Sequence, residues 1–294
     1  MLDTGFLAWL FAGAIVSGVL GSMLGLGGGV FLVPLLTLGL HLPIHFAIGT
    51  SIVAVVATSS AAAGVYTLSG LTNLRLGMIL EIATTIGAIT GGLTAALVSR
   101  QTLNILFALV LLYTAGSMLV NRKRPESFSE AAVAWTPGEE QECLKLSAAF
   151  YDEAARREVR YQVRHLPLGA FVSFLAGNLS GLLGIGGGII KVPTMNLVMG
   201  IPIKAAAATS NFMVGVTAAT SAFVYYSRGY INPFYAAPAA IGIFLGAQAG
   251  SRLAKKTRSK ILVKLFAFLS IYLAVRMLWE GISAGIGGIS FGFN

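Results

Sequence analysis

A ten-residue glycine-rich segment occurs twice in this chain. "GLGGGVFLVP" begins at Gly25 and "GIGGGIIKVP" begins at Gly184, an offset of 159 residues. The same offset pairs Pro43 with Pro202 without a gap and holds along most of both halves. A fixed offset of this kind indicates that one structural unit has been duplicated. The chain is therefore expected to fold as two copies of one arrangement of segments.

Each copy lies inside an apolar run that is too long to be one membrane helix. The runs are Phe6–Leu40 and Pro167–Met199. As straight helices they would measure about 50 Å, against roughly 30 Å for the hydrocarbon core of a bilayer. We predict that each run folds back on itself as a helical hairpin that is broken at the glycines. The hairpin is either re-entrant or made of two short crossings, and the sequence leaves both open.

Composition places these segments in a membrane. With 56% hydrophobic and 11% charged residues, the chain has more apolar surface than a soluble core can bury. We predict an all-α polytopic membrane protein in which three transmembrane helices follow each hairpin. The predicted helices are Phe46–Leu68, Leu76–Val98, Leu103–Val120, Ala205–Tyr226, Phe234–Ala254 and Ile261–Trp279.

The basic residues predict that the two halves have opposite orientations. In the first half, the cluster 122–124 follows the last helix, whereas in the second half the basic residues of 252–264 surround the last loop between helices. Because such clusters remain in the cytoplasm, we predict inverted-topology repeats at 1–120 and 167–294 around a cytoplasmic linker at 121–166. Both termini are then outside the cytoplasmic (inner) membrane. Charges cancel within the linker, so the formal net charge of +9 arises in the membrane part, where it serves orientation.

The two glycine-rich tips are the first candidate site. Inverted hairpins would meet near the midplane, where irregular backbone is either buried in protein or lines a cavity. Glycine permits positive φ and close approach, and a helix that starts after each tip would direct N–H groups at an anion. The alternative is that the glycines only allow close helix packing. The candidate anion-binding residues are Gly25, Gly27, Gly28, Gly29, Gly184, Gly186, Gly187 and Gly188.

Polar residues near the tips extend this candidate site. Lys191 stands where the first copy has Leu32, so it is either a counter-charge for the anion or a side chain that extends to the interface. The Thr-Ser pairs that open the helices after each hairpin either orient the anion or cap and pack helices. These candidates are Thr50, Ser51, Thr209, Ser210 and Asn211.

Glu81 is the one acidic residue inside a predicted membrane segment. A carboxyl removed from water accepts a proton readily and is a candidate for coupling a proton to transport. The interpretation favoured by its position is a surface ion pair with Arg75, which lies close to it in the sequence. The linker runs from acidic to basic residues, which favours a helix, either as a cap on the cytoplasmic mouth or as a solvated connector.

The sequence also resembles a known family. "GLLGIGGGIIKVPTMNLVMGIPIKAAAATSNFMVG" (Gly181–Gly215), its partial copy at Ser22–Val56 and "FYDEAARREVRYQVRH" (Phe150–His165) resemble the sulfite exporter TauE/SafE family, also called DUF81 or the toluene-sulfonate-uptake-permease family. The resemblance implies secondary transport of small sulfur-containing anions such as sulfite, sulfonates or sulfoacetate.

We therefore expect a transporter that moves such an anion by alternating access, with a proton or sodium ion as the candidate coupling ion. The alternatives are a passive small-anion channel and, third, a membrane-embedded sensor or enzyme. No cofactor, metal or nucleic-acid partner is predicted, since Val30 breaks the GxGxxG pattern and Cys143 is the one cysteine. The particular anion, the direction of transport and the oligomeric state are not predicted.

Overall fold

Both halves begin with a broken hairpin. The computed structural model describes residues 4–95, 97–121, 146–152, 157–256, 268 and 270–279. The first half contains α1 (Thr4–Leu24), α2 (Gly29–Pro34) continued by a π-helical turn (Leu35–Gly39), α3 (Ile44–Leu68), α4 (Leu74–Ala95) and α5 (Arg100–Asn121). The second half contains α6 (Leu166–Leu183), α7 (Gly188–Leu197), α8 (Ile203–Ser227), α9 (Pro233–Lys256) and α10 (Ser270–Trp279). The predicted hairpin followed by three helices is therefore present. The basic cluster 122–124 and Cys143 lie outside the described residues.

The fold is that of an all-α polytopic membrane protein. Within the described residues, four helices are long and apolar enough to cross a bilayer by length and composition: α1, α3, α4 and α6. Large apolar side chains on the outward face of α4, including Met78, Ile82 and Ile86, are more than half exposed. An outward apolar face of this kind is expected where a helix contacts lipid.

The helices of each half pack mainly against helices of the other half. The most extensive contacts join α1 to α9 and α4 to α6, each across the boundary between halves. A Cβ added to Gly246 would overlap the carbonyl oxygen of Ile15, and a Cβ added to Gly87 would overlap that of Phe174. These two contacts are related by the offset of 159 residues. The close approach of these helices therefore depends on small residues, as is common in membrane proteins.

The central helices α3 and α8 run antiparallel to each other. Val55 of α3 and Val214 of α8 both border Gly27 and Gly186. Four residues further along α3, Ser59 donates a hydrogen bond to the Asn211 carbonyl, which lies earlier in α8. These contacts join α3 and α8, which are the equivalent helices of the two sequence repeats.

The described part of the linker is a β-hairpin. Strands β1 (Ala148–Asp152) and β2 (Arg157–Tyr161) are antiparallel, with Phe150 opposite Val159. The expectation of a helix is wrong for these residues. Phe150, Val159 and Tyr161 are buried together against the ends of the membrane helices, and this alternating burial overrides the favourable helix dipole. The hairpin thus covers one end of the helix bundle.

Candidate functional site

The glycine tips adopt the backbone conformation that the sequence predicts. Gly28 and Gly187 precede the first residues of α2 and α7 with φ of 75° and 72°. The other glycines before each helix, at 25, 27, 184 and 186, also have positive φ. Gly29 and Gly188 begin the helices. A side chain is strained in this left-handed region, so glycine is required for the chain to turn here.

The two tips pack directly against each other. The Ser51 hydroxyl donates to the Gly184 carbonyl at 2.9 Å, and the Ser210 hydroxyl donates to the Gly25 carbonyl at 2.8 Å. A Cβ at Gly27 would lie 2.7 Å from Val214 Cγ1, and one at Gly186 would lie 2.6 Å from the same atom. The structure brings the predicted glycines and serines together, but in a closed contact. Close packing accounts for these glycines in this conformation.

The threonines and the asparagine of the candidate set lie away from the contact between tips. They do not open their helices, because α3 begins at Ile44 and α8 at Ile203. The Thr209 hydroxyl accepts a hydrogen bond from the Asn73 backbone N–H at 3.0 Å and so supports the start of α4. Thr50 is buried, and its hydroxyl has no hydrogen-bond partner among the described residues.

Asn211 is a second site residue with a structural contact. Its Nδ2 donates to the Ser22 carbonyl at 3.0 Å, near the end of α1. Tyr66 donates to the same carbonyl at 3.0 Å, and Tyr225 makes the corresponding bond to Leu182 in the other half at 3.1 Å. These side chains donate hydrogen bonds to carbonyl groups at the ends of α1 and α6. The last carbonyl groups of a helix have no N–H partner within the helix.

A buried charged cluster lies beside the second hairpin. Lys191 Nζ of α7 donates to the Thr217 hydroxyl of α8 at 3.0 Å, and this hydroxyl donates to Glu81 Oε1 of α4 at 2.5 Å. Lys191 Nζ is 3.6 Å from Glu81 Oε2, and the two side chains are 0% and 8% exposed. Thr85 donates to Oε1 at 3.3 Å. The cluster is an ion pair bridged by one hydroxyl.

This cluster corrects two interpretations of the sequence. Glu81 does not form a surface pair with Arg75, which is exposed, because the register of α4 against α8 turns the carboxyl inward. Lys191 does not extend to an interface, because its side chain is fully buried. Thr217 was not among the predicted site residues. Its one signal in the sequence is that it occupies the position equivalent to Thr58.

The positions equivalent to Lys191 and Glu81 in the repeat carry no charge. The offset of 159 residues places Leu32 at the position of Lys191 and Ala240 at that of Glu81. Thr58, the equivalent of Thr217, donates to the Ala54 carbonyl of its own helix at 3.1 Å, as Thr217 does to Met213 at 3.1 Å. Among the described residues, Thr58 has no bond like that from Thr217 to Glu81. The ion pair therefore breaks the symmetry that the tips and the helix contacts obey.

Two features define the surroundings of the cluster. A groove of about 420 Å³ between α4 and α8 is lined by Glu81 and Thr85 among apolar side chains. Toward the linker, Leu80 and Val192 share a hydrophobic cluster with Phe150 and Tyr161 of the β-hairpin. The hairpin is held by a contact between Lys204 Nζ and Asp152 Oδ1 at 2.7 Å. The β-hairpin of the linker thus covers the Lys191–Glu81 ion pair from the end of the bundle that faces the linker.

Comparisons with known proteins agree with this architecture. Residues 10–277 match the family described as "Sulfite exporter TauE/SafE". The "Probable membrane transporter protein YunE" of Bacillus subtilis is 26% identical over 277 residues, which cover 91% of this chain and 96% of that protein. A "Probable membrane transporter protein" of Xylella fastidiosa is 28% identical, covering 92% of this chain and 93% of the relative.

The name of a similar plant protein contains the same family description. "Sulfite exporter TauE/SafE family protein 6" of Arabidopsis thaliana is 32% identical over 146 residues, 48% of this chain and 33% of that protein. No solved structure gives a significant match to this chain.

The long apolar helices define a multi-pass membrane protein, and the relatives place it in the transporter class. The family match covers nearly the whole chain. This chain belongs to the TauE/SafE family of membrane transporters, and the resemblance read from the glycine-rich segments is confirmed.

Proposed function

We propose that this protein is a secondary transporter that moves a small sulfur-containing anion across the cytoplasmic membrane by alternating access. The family description names sulfite export, and relatives of matching length are named as membrane transporters rather than enzymes. The coupling ion and the direction of transport are parts of the proposal that need experiment.

The burial of the Lys191 ammonium is the single observation on which the proposal rests. Its ammonium is buried in the membrane part, where an ionisable side chain is costly and is usually functional. An ammonium has three N–H donors, and one of them is used by the Thr217 hydroxyl. In the proposal, the other two bind the oxygens of an anion when the site opens. Sulfite and sulfonates present several acceptor oxygens on one small group, which suits such a point charge.

Alternating access is supported by the relation between the halves. The contacts of Ser59 and Val55 fit an antiparallel arrangement of the equivalent helices α3 and α8. If both helices cross the bilayer, the two-fold axis lies in the membrane plane, which is the arrangement of inverted-repeat transporters. Arg252 lies near the end of α9. Two residues further on, Ala254 packs against the hydrophobic cluster that contains Phe150 and Tyr161 of the linker. This supports a cytoplasmic linker and outside termini.

The glycine tips are proposed to move during transport. In this conformation the tips touch each other, because a Cβ at Gly29 would overlap the Gly184 carbonyl oxygen and one at Gly188 would overlap that of Gly25. An anion that uses the N–H groups near Gly29 and Gly188 therefore requires the tips to part. Helix starts at these two residues supply such groups. We propose the tips as a central seal whose opening exposes the backbone donors.

Uptake into proteoliposomes tests the function. Purified protein is reconstituted, and accumulation of radiolabelled sulfite is measured with and without an imposed pH or sodium gradient. Accumulation above equilibrium supports a transporter, whereas gradient-independent equilibration supports the channel alternative. No flux with folded protein removes sulfite as the substrate.

A matched pair of variants locates the site. The double variant Lys191→Leu, Glu81→Ala replaces each residue by the one at its equivalent position in the repeat, Leu32 and Ala240 respectively. The fold therefore already accommodates this pair of apolar side chains. We expect this double variant to fold and to lose uptake. Wild-type uptake by the double variant would place the anion site elsewhere.

A further inference from the structure

We infer that Glu81 carries the coupling proton, and that one proton crosses the membrane with one monovalent anion in an electroneutral step. The inference rests on the proposed function, because it assigns the coupling and the charge of the substrate to the same site. It is drawn from the charges and hydrogen bonds of the Lys191–Thr217–Glu81 cluster.

The two oxygens of the Glu81 carboxyl have different surroundings. Oε1 accepts hydrogen bonds from Thr217 at 2.5 Å and from Thr85 at 3.3 Å. Oε2 is buried without a hydrogen-bond partner among the described residues and faces Lys191 Nζ at 3.6 Å, beyond hydrogen-bond distance. A proton from water therefore adds at Oε2, which removes the charge opposite Lys191 and leaves the bonds to Oε1 in place.

Lys191 is the one charged group that faces Glu81 within the described residues. Helix α6, which packs on α4, contains no titratable side chain, and α7 contains none besides Lys191. On α8, Lys204 is paired with Asp152 of the linker, while Tyr225 and Tyr226 stand at the far end of the helix. On α4 itself, Arg75 lies at the exposed start. The charge balance of the site is thus decided by two groups.

The site stays electrically neutral when it binds one proton together with an anion of charge −1. Without substrate, the ammonium and the carboxylate sum to zero. An anion bound to Lys191 beside an ionised Glu81 would leave a net negative charge in a desolvated site, which is strongly unfavourable. Protonation of Glu81 restores neutrality when the anion carries one charge. A dianion would need a second proton acceptor, and no described residue at the site supplies one.

The preferred substrates are therefore monovalent, such as hydrogen sulfite or a sulfonate, rather than sulfate. The proton and the anion leave together on the other side, where Glu81 ionises and pairs again with Lys191. The equivalent position in the other half, with Leu32 and Ala240, has no group for a second proton. One cycle therefore moves one proton.

The experiment uses methanesulfonate, which carries one charge at every working pH and contributes no proton of its own. The first measurement is exchange of labelled against unlabelled methanesulfonate and sulfite in proteoliposomes without any gradient. Exchange reports transport whatever its coupling. If wild-type protein exchanges neither anion, the proposed function fails and the inference fails with it.

The second measurement is net uptake of methanesulfonate with an inward proton gradient, at membrane potentials clamped by potassium and an ionophore. We expect accumulation that follows the pH gradient and is independent of the potential, with one proton entering per anion as reported by an internal pH dye. Exchange combined with electrogenic uptake, or with a proton ratio other than one, would overturn the inference and leave the transporter standing.

Variants then assign the proton to Glu81. Glu81→Gln keeps a neutral side chain of similar size, so we expect exchange to persist while pH-driven accumulation is lost and uptake follows the potential. Asp152→Asn is the matched control, because it also converts a carboxylate paired with a lysine but lies in the linker. Equal pH-driven accumulation by wild type and Glu81→Gln would exclude Glu81 as the carrier.

Binding in detergent provides a test that does not depend on reconstitution. If one proton is taken up with each anion, the apparent affinity of the wild type for methanesulfonate falls as the pH rises, by up to about tenfold for each unit of pH. Glu81→Gln should bind with an affinity that does not change with pH. A flat profile for the wild type contradicts the inference.

Discussion

The two halves of this protein share a backbone but differ in chemistry at one place. At the tips, each half repeats the contacts of the other, since Ser51 bonds Gly184 as Ser210 bonds Gly25. Beside the tips, one half has Leu32 where the other has Lys191. Lys191 of the second half forms a buried ion pair with Glu81 of the first half, whereas the equivalent positions, Leu32 and Ala240, are apolar.

The difference separates residues needed for folding from residues kept for another reason. A buried ion pair is weak evidence for stability, because apolar residues of similar volume are often as stabilising. This molecule contains that apolar solution at the equivalent position. The paired contacts at the tips, by contrast, occur in both halves and are explained by packing. Variants that treat equivalent positions alike test this separation.

The largest effect is expected when the ion pair is broken on one side only. Lys191→Leu leaves the Glu81 carboxyl buried without its counter-charge, and we expect a loss of about 3–5 kcal/mol of stability. Adding Glu81→Ala should recover most of that loss, since the pair is then replaced by apolar groups. Unfolding in mixed detergent measures both variants. A double variant as unstable as the single one would mean that the fold needs the pair.

A smaller and symmetric effect is expected at the tips. Gly27→Ala and Gly186→Ala each place a Cβ against Val214 at a residue with positive φ, and we expect each to cost about 1–3 kcal/mol. Gly70→Ala is the control, because Gly70 has positive φ but no atoms within 4 Å of an added Cβ. Clearly unequal costs at 27 and 186 would contradict the two-fold relation of the tips.

Thr217 and Thr58 should respond differently although they are equivalent positions. Thr217→Val removes the hydroxyl between Lys191 and Glu81, so we expect a loss of about 1–3 kcal/mol together with slower anion exchange. Thr58→Val removes only a bond to its own helix and should change stability by less than about 0.5 kcal/mol. Unfolding and exchange are measured on both variants, and matched results would argue against a special role for Thr217.

The smallest effects are expected at the two serines. Ser51→Ala and Ser210→Ala each remove one hydrogen bond from a central helix to the glycine tip of the other half, which costs about 1 kcal/mol. The two losses should agree within about 0.5 kcal/mol and add in the double variant if the sites are independent. Unfolding in mixed detergent is again the measurement. A loss at only one serine would show that the tips are not equivalent in solution.

Much of the fold could be predicted from the sequence because it is repeated. The offset of 159 residues, the long apolar runs and the glycines predicted two broken hairpins, and α1 and α6 end directly before those glycines. The positive φ at Gly28 and Gly187 follows from the same segments. These features are local, so residue type and spacing are enough to indicate them.

The Lys191–Glu81 pair could not be predicted in the same way. The two residues lie in different halves and on helices that are not equivalent, so the repeat provides no relation between them. Their contact depends on the register of α4 and α7 against α8, which is set by packing at residues such as Gly77 and Phe212. The β-hairpin was missed because its charge gradient suited a helix, while its burial depends on the bundle that it covers.

The packing of helices against the other half also has a consequence for biosynthesis. Helix α1 is translated well before α9, which is the surface on which it packs. Until then, α1 has lipid where its partner will be. Assembly of either half must therefore wait for the other, and a ribosome that stalls after α5 would leave a product that cannot complete its own core.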